Sequence, residues 1–184
     1  MDQNKIWRDF FYTELTTGLR RGEICGLMWQ DFDEKSGTLK VLRSVNVPKA
    51  GELEIGETKT SQGRRTIRLP PSTVQRLKER RKHAVSQWIF PEPLAPEKPV
   101  RPSAAYYWMK RILREAGLPA IRFHDLRHTF ATHALTSGVD AKTLSGILGH
   151  TKTSFTLDTY THVTGDMHRR ASEIVGGFME EFMV

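Results

Sequence analysis

The stretch from His124 to Tyr160 constrains this chain more than any other. It opens HDLRHTFATHALTSG, with His124 and Arg127 three residues apart. Residues three apart share one face of a helix. Leu126 and Phe130 fall on the other side and can anchor that helix in a core. One rigid element therefore offers an imidazole and a guanidinium together. Gly149 and His150 follow, and Tyr160 comes ten residues later. A planar, permanently charged Arg suits a phosphate, and a Tyr beside it can act as a nucleophile. Singly, each residue has a plainer reading. Most buried Tyr residues only hydrogen-bond, His128 and His133 read as packing or surface residues, and His162 reads as a loop cap.

Ahead of this stretch, residues 4–17 carry Ile6, Phe10, Phe11 and Leu15 at helical spacing. Gly18 interrupts, and a second helix is predicted from Arg20 to Trp29, with Ile24, Leu27 and Met28 inward. Arg20 sits at its start, where helix N–H groups favour anions; an i,i+3 ion pair with Glu23 is the structural alternative. Residues 38–47, 52–58 and 65–69 alternate and are rich in branched side chains, which predicts a small antiparallel sheet of about three strands. Lys59-Thr-Ser-Gln-Gly63 reads as an exposed hairpin tip. Ser72 is predicted to cap a helix to Gln87 with Val74, Leu77 and Ala84 inward. Its basic run, Arg76 to Lys82, reads as a solvated face or a phosphate contact. Pro91, Pro93, Pro96, Pro99 and Pro102 argue against helix and sheet alike. A helix from Ser103 to Ala116 follows, with Tyr106 and Tyr107 in its packing pattern. A last helix, 166–183, carries an apolar stripe that includes Ile174, Phe178 and Phe182.

The chain has 184 residues, enough for one domain with a core of its own. No apolar run approaches the roughly 18 residues a membrane-spanning helix needs. A net charge of +7 favours a polyanionic partner, nucleic acid ahead of membrane. The single cysteine, Cys25, excludes an internal disulfide and fits a reducing cytoplasm; its apolar neighbours predict a buried thiol.

Four separated pieces together carry a resemblance. Thr17-Gly-Leu-Arg20-Arg-Gly-Glu23 resembles the first conserved box of the tyrosine recombinases, the phage-integrase family. His124-Asp-Leu-Arg127-His128, Leu148-Gly-His150 and Tyr160 resemble the second. Lys59-Thr60-x-x-x-Arg64-Arg65-x-Ile67 resembles the family's lysine hairpin. Within the family the chain looks most like integrases of conjugative transposons and phages of Gram-positive bacteria.

The resemblance implies an α+β fold, mostly helical, with a small antiparallel sheet at one edge. It implies DNA strand cleavage and rejoining through a 3′-phosphotyrosyl intermediate on Tyr160. Arg20 and Arg127 would hold the phosphate, His124 and His150 would donate hydrogen bonds or move the tyrosine proton, and Lys59, with Lys49 as the alternative, would be the general acid. No cofactor and no metal is implied. Glu23 would orient Arg20 or a neighbour. The expected partners are a double-stranded DNA attachment site, further recombinase subunits in a tetramer on that DNA, and an accessory DNA-bending or excision protein, in a bacterial cytoplasm and away from the membrane; this chain by itself is expected to be a monomer. Family members carry core-binding and arm-binding domains before the first box. Because that box begins at Thr17, residues 1–184 are expected to be a catalytic domain without them.

Three other readings compete. His124-Asp-x-x-His128 resembles the H-E-x-x-H zinc site, but Asp is shorter than Glu and no third ligand motif follows. A DNA-binding module without catalysis would not need the tyrosine, both arginines and the lysine. A type IB topoisomerase shares the chemistry, but the short chain and the Leu-Gly-His spacing favour a recombinase.

Overall fold

A computed structural model describes residues 3–48, 51–57, 63–150 and Ser154. Lys49, Lys59, Tyr160, His162 and the expected last helix lie outside these residues.

The first helix, α1 (Gln3–Thr17), buries Ile6, Trp7 and Phe10, and then its inward stripe turns polar at Thr13, Glu14 and Thr17. Leu15, expected inward, is 44% exposed, because the stripe follows positions 6, 10, 13, 14 and 17. The two threonine hydroxyls are satisfied by donating back to the carbonyls of Asp9 and Thr13. A left-handed turn at Gly18 (φ 61°) leads to α2 (Arg21–Cys25). A Cβ at Gly18 would collide with the Phe130 ring, so glycine is needed there for space as well as for its φ.

The second helix stops at Cys25, not at Trp29 as periodicity suggested. Its continuation is claimed by tertiary pairing: Met28 bridges Trp88, and the Leu27 carbonyl accepts from the Ile89 N–H. A single 3-10 turn, Trp29–Asp31, follows. Cys25 is fully buried, as its neighbours predicted, and burial pushes its thiol pKa up.

The strands are β1 (Phe32–Asp33), β2 (Thr38–Val41), β3 (Arg43–Asn46), β4 (Glu54–Glu57) and β5 (Arg65–Arg68). A three-stranded antiparallel sheet runs β1-β2-β5, with Leu39 opposite Ile67 in the core. The run 38–47 is broken at Leu42, and its second half pairs with β4 in a separate two-stranded ribbon.

Helix α3 (Pro71–Arg81) starts from Pro70 with Pro71 in its first turn, so Ser72 is not its cap. It ends well short of Gln87, and Ala84 is exposed. Two of its basic residues are structural. Arg80 is buried, donates to the Ile89 carbonyl and faces Asp9, while Arg76 lies over the Tyr12 ring.

The proline-rich segment is also a correction. It forms a hairpin of β6 (Pro91–Glu92) and β7 (Ala95–Pro99), with Pro91 opposite Pro99. Both strands of a two-stranded ribbon are edges, which tolerate proline's missing N–H. Helix α4 (Pro102–Glu115) buries Ala105 and Met109 and half-buries Tyr106, but Tyr107 is 69% exposed and does not pack inward. Helices α5 (Phe123–Thr136) and α6 (Ala141–Leu148) complete the described fold. The main core joins α1, α2, the sheet, α4 and Phe123; Ala131, Leu135, Leu144 and Leu148 form a second cluster between α5 and α6. The architecture is therefore the expected α+β type, helices with small antiparallel sheets.

Candidate active site

Four backbone segments converge where α1 turns into α2, where α5 crosses α1, where α6 ends, and where β5 begins. The chain places Arg20, Arg65, Arg127 and His150 there, with Glu23 between the arginines.

Arg127 enters from the first turns of α5, on a helix secured by a cap: Asp125 accepts from the backbone N–H of Arg122 at 2.8 Å. It is only 2% exposed. Its Nη1 donates to the Gly18 carbonyl and its Nη2 to the Leu148 carbonyl, each at 2.7 Å. One guanidinium thus ties the end of α6 to the α1–α2 turn. Two of its five N–H groups are used among the described residues, and no carboxylate lies within ion-pair distance of it there. Burial first, then the neighbouring Arg20 charge, lower its pKa to about 10. It remains a cation at neutral pH.

Arg20 precedes α2. The structural reading of it holds: Nη1 donates to Glu23 at 2.8 Å, and Nη2 reaches the Gly149 carbonyl at 3.0 Å. Its side chain is 45% exposed, so it is the solvent-facing member of the set. Glu23 is 2% exposed and accepts the Arg20 backbone N–H as well. Its other partner is Arg65, which donates through Nη1 and Nη2 at 3.0 and 2.8 Å. Burial works to raise the Glu23 pKa, but the Arg65 and Arg20 bonds outweigh it and hold the carboxyl below its usual range. Glu23 is an ionised clasp that orients two arginines, as expected.

Arg65 was not singled out from the sequence. Its Nε donates to the Ile147 carbonyl at 2.6 Å, so it supports the end of α6 from below. A Cβ at Gly149 would lie 2.8 Å from Arg65 Nη1, and Gly149 has φ 65°. Glycine there lets the chain leave α6 over the guanidinium and turn His150 toward the arginines. The available signal was the strand phase: Arg65 shares a face of β5 with buried Ile67.

His150 is half-buried. Burial first, then Arg127, Arg20 and Arg65, depress its pKa to about 4. It is a neutral imidazole at physiological pH, able to donate with one nitrogen and accept with the other. His124 is shifted down as well, by burial and by His128, whose ring meets it edge to face at 4.6 Å. His124 and Arg127 share a cleft of about 330 Å³ with Glu14 and Tyr106, rimmed by the basic residues Arg21 and Arg122. The helix therefore presents His124 and Arg127 to one site, as their spacing implied. Tyr160 and Lys59 are outside the described residues.

The phage integrase family model matches residues 4–166 of the chain. A XerC-like tyrosine recombinase of Caldanaerobacter subterraneus subsp. tengcongensis is 31% identical over 89% of this chain and 47% of its own length. Tyrosine recombinase XerC of Staphylococcus saprophyticus is 34% identical over 92% of this chain and 54% of its own. The structure of the Tn1549 transposon integrase in complex with circular intermediate DNA superposes with a TM-score of 0.77, at 26% identity, over 91% of this chain and 59% of that one.

A domain about half helical with small antiparallel sheets, whose arginines converge on one site and which is matched in this way in sequence and in fold, defines the class: a tyrosine recombinase catalytic domain fold. The chain belongs to the phage integrase family. It spans about half the length of the curated relatives it matches.

Proposed function

We propose that this chain is the catalytic part of a site-specific DNA recombinase serving integration and excision of a mobile element. The observation that carries this reading is Arg127, a buried guanidinium held by two backbone carbonyls and, among the described residues, by no carboxylate. Its charge is held in place by the fold and left for an anion, with the half-exposed Arg20 beside it.

The phosphate of a DNA strand occupies this positive site. The Tyr160 oxygen attacks phosphorus, and the bond to the 5′ oxygen breaks. The product is a 3′-phosphotyrosyl link and a free 5′ hydroxyl, and a partner strand's 5′ hydroxyl later reverses the step. The bond energy is conserved, so ATP is not consumed. Arg20 and Arg127 stabilise the charge on the non-bridging oxygens. His150 and His124, neutral at working pH, can donate to those oxygens or accept the phenol proton. A tyrosine titrates near about 10 in water, and cations beside it favour the phenolate. Lys59 protonates the leaving oxygen. The partners of this reading are a double-stranded attachment site, a tetramer of subunits assembled on it, and an accessory DNA-bending or excision protein, in a bacterial cytoplasm.

Nicked half-site duplexes from a randomised pool, which lose the short strand on cleavage, test the reading. The wild-type chain should become covalently joined to a subset, with the adduct mapping to Tyr160. Tyr160→Phe should bind the same duplexes and form no adduct, while Tyr106→Phe, in the same cleft, should still form it. An adduct persisting in Tyr160→Phe would show that another residue is the nucleophile.

A further inference from the structure

Glu14 is the one charged side chain on the buried stripe of α1 at the site end, and the reaction above does not use it. It is fully buried, and among the described residues neither carboxyl oxygen has a hydrogen-bond partner. It borders the same cleft as Arg127 and His124. Arg127, the cation that acts on it, turns its two Nη atoms to the Gly18 and Leu148 carbonyls instead. Glu14 also props this arrangement through its backbone, since its carbonyl accepts the Gly18 N–H at 2.8 Å.

An ionised carboxylate cannot sit in that position cheaply. Burying one without hydrogen bonds costs far more than burying its neutral acid. The groups that face it divide in sign. From α5 come Arg127, which favours the carboxylate, and the neutral His124; from α2 come Glu23, which opposes it, the un-ionised thiol of Cys25 and, at the cleft rim, Arg21; from α4 comes Tyr106. The α3 arginines, Arg76 and Arg80, face Asp9 instead, further toward the start of α1. Burial outweighs the Arg127 attraction, so the acid is held well above the usual carboxylate range.

We propose that Glu14 is a positioning residue that acts through Arg127: a carboxyl kept protonated beneath the phosphate site, whose ionisation cancels the Arg127 charge and loosens the clamp. This rests on the reading of the site as a phosphate clamp. A neutral Glu14 leaves Arg127 uncompensated and ready for an anion. A phosphate bound to Arg127 in turn disfavours the Glu14 carboxylate. Protonation of Glu14 and binding of phosphate therefore reinforce each other, and by linkage each strengthens the other by the same factor. The clamp is tight while Glu14 holds its proton and weakens as pH rises through its ionisation.

The test compares the 184-residue wild type with Glu14→Gln, which is similar in shape and permanently neutral, on one nicked duplex captured from the randomised pool. The readout is the ratio of their single-turnover attachment rates against pH, so that ionisation of the nucleophile cancels. The ratio Glu14→Gln over wild type should climb by about tenfold for each pKa unit that bound phosphate adds to Glu14. A ratio that stays flat to roughly pH 10, the ordinary tyrosine range, overturns the proposal. So does a Glu14→Gln variant as slow as Arg127→Ala at every pH, since that would mean the charge of Glu14 is required. A second measurement needs no DNA: the ¹³C carboxyl resonance of Glu14, assigned by its loss in Glu14→Gln, should remain that of an acid well above the usual carboxylate range. Titration within the ordinary range ends the Glu14 proposal and leaves the clamp intact. Normal attachment by Arg127→Ala would instead overturn the clamp itself.

Discussion

Two buried arginines in this domain have opposite fates. Arg80 on α3 and Arg127 on α5 are 8% and 2% exposed, and each donates to backbone carbonyls at 2.7 Å. Arg80 also faces the carboxylate of Asp9 at 3.9 Å and lies over the Phe90 ring. Arg127 has no such carboxylate among the described residues. Its neighbours include two more guanidiniums, and the one ionised carboxylate close by, Glu23, is engaged by Arg20 and Arg65. Burial alone therefore does not mark an arginine as functional. What separates the pair is compensation. A buried arginine with its own carboxylate is part of the fold, whereas a buried one positioned by carbonyls keeps its charge for something that arrives later.

Removing Arg127 should have the largest effect. Arg127→Ala should slow covalent attachment by at least about 10²-fold, comparable to losing an oxyanion donor. It should also destabilise the fold by about 1–3 kcal/mol, because it strands the buried Gly18 and Leu148 carbonyls. Single-turnover rates below the variant's melting range, with urea unfolding alongside, separate the two effects. Lys59→Ala comes next. It should attach slowly to ordinary DNA but recover when the 5′ bridging oxygen is replaced by sulfur, a leaving group that needs no acid. Intact binding without recovery would move the general acid elsewhere, with Lys49 the next position to vary.

The smallest effect concerns pH and stability. His150 has its pKa depressed to about 4 in the folded chain, against about 6.5 for a free histidine. In the window between these values the unfolded state binds more protons, so the contribution of His150 to stability is present above it and is lost as pH falls through it. Urea midpoints should drop across that window in the wild type and drop less in His150→Asn. Parallel curves would mean that the arginines around His150 do not hold it neutral.

The same contrast explains how far the sequence could be read. His124, Arg127, Gly149 and His150 sit on local patterns: helical spacing on α5, and a glycine-terminated α6 whose Asp140 caps it at 2.9 Å through the Thr143 N–H. Such signals need no knowledge of distant contacts. Where periodicity failed, a tertiary partner had intervened. The second helix lost its last turn to pairing with Trp88 and Ile89, and the strand 38–47 split because its halves pair with different partners. The basic run of α3 looked like a solvated face because nothing near it in sequence shows that Asp9 and Phe90 will meet Arg80. Glu14 was passed over for the same reason, since a helix glutamate looks like an ordinary surface residue until the fold encloses it. Arg65 lies in the hairpin motif and in phase with Ile67, but the Glu23 and Ile147 partners that fix it are distant in the chain.

The central claim is that compensation sorts the buried arginines, and the contrast of Arg127 with Arg80 tests it most directly. Arg127 is held by two carbonyls with no carboxylate among the described residues, whereas Arg80 faces Asp9. Single-turnover attachment to the captured nicked duplex should be measured for Arg127→Ala and Arg80→Met at a temperature where both are folded. The account predicts that Arg127→Ala is slower than wild type by at least about 10²-fold, while Arg80→Met attaches at a near wild-type rate despite lower stability. Equal losses in the two variants, or a normal rate in Arg127→Ala, would contradict it.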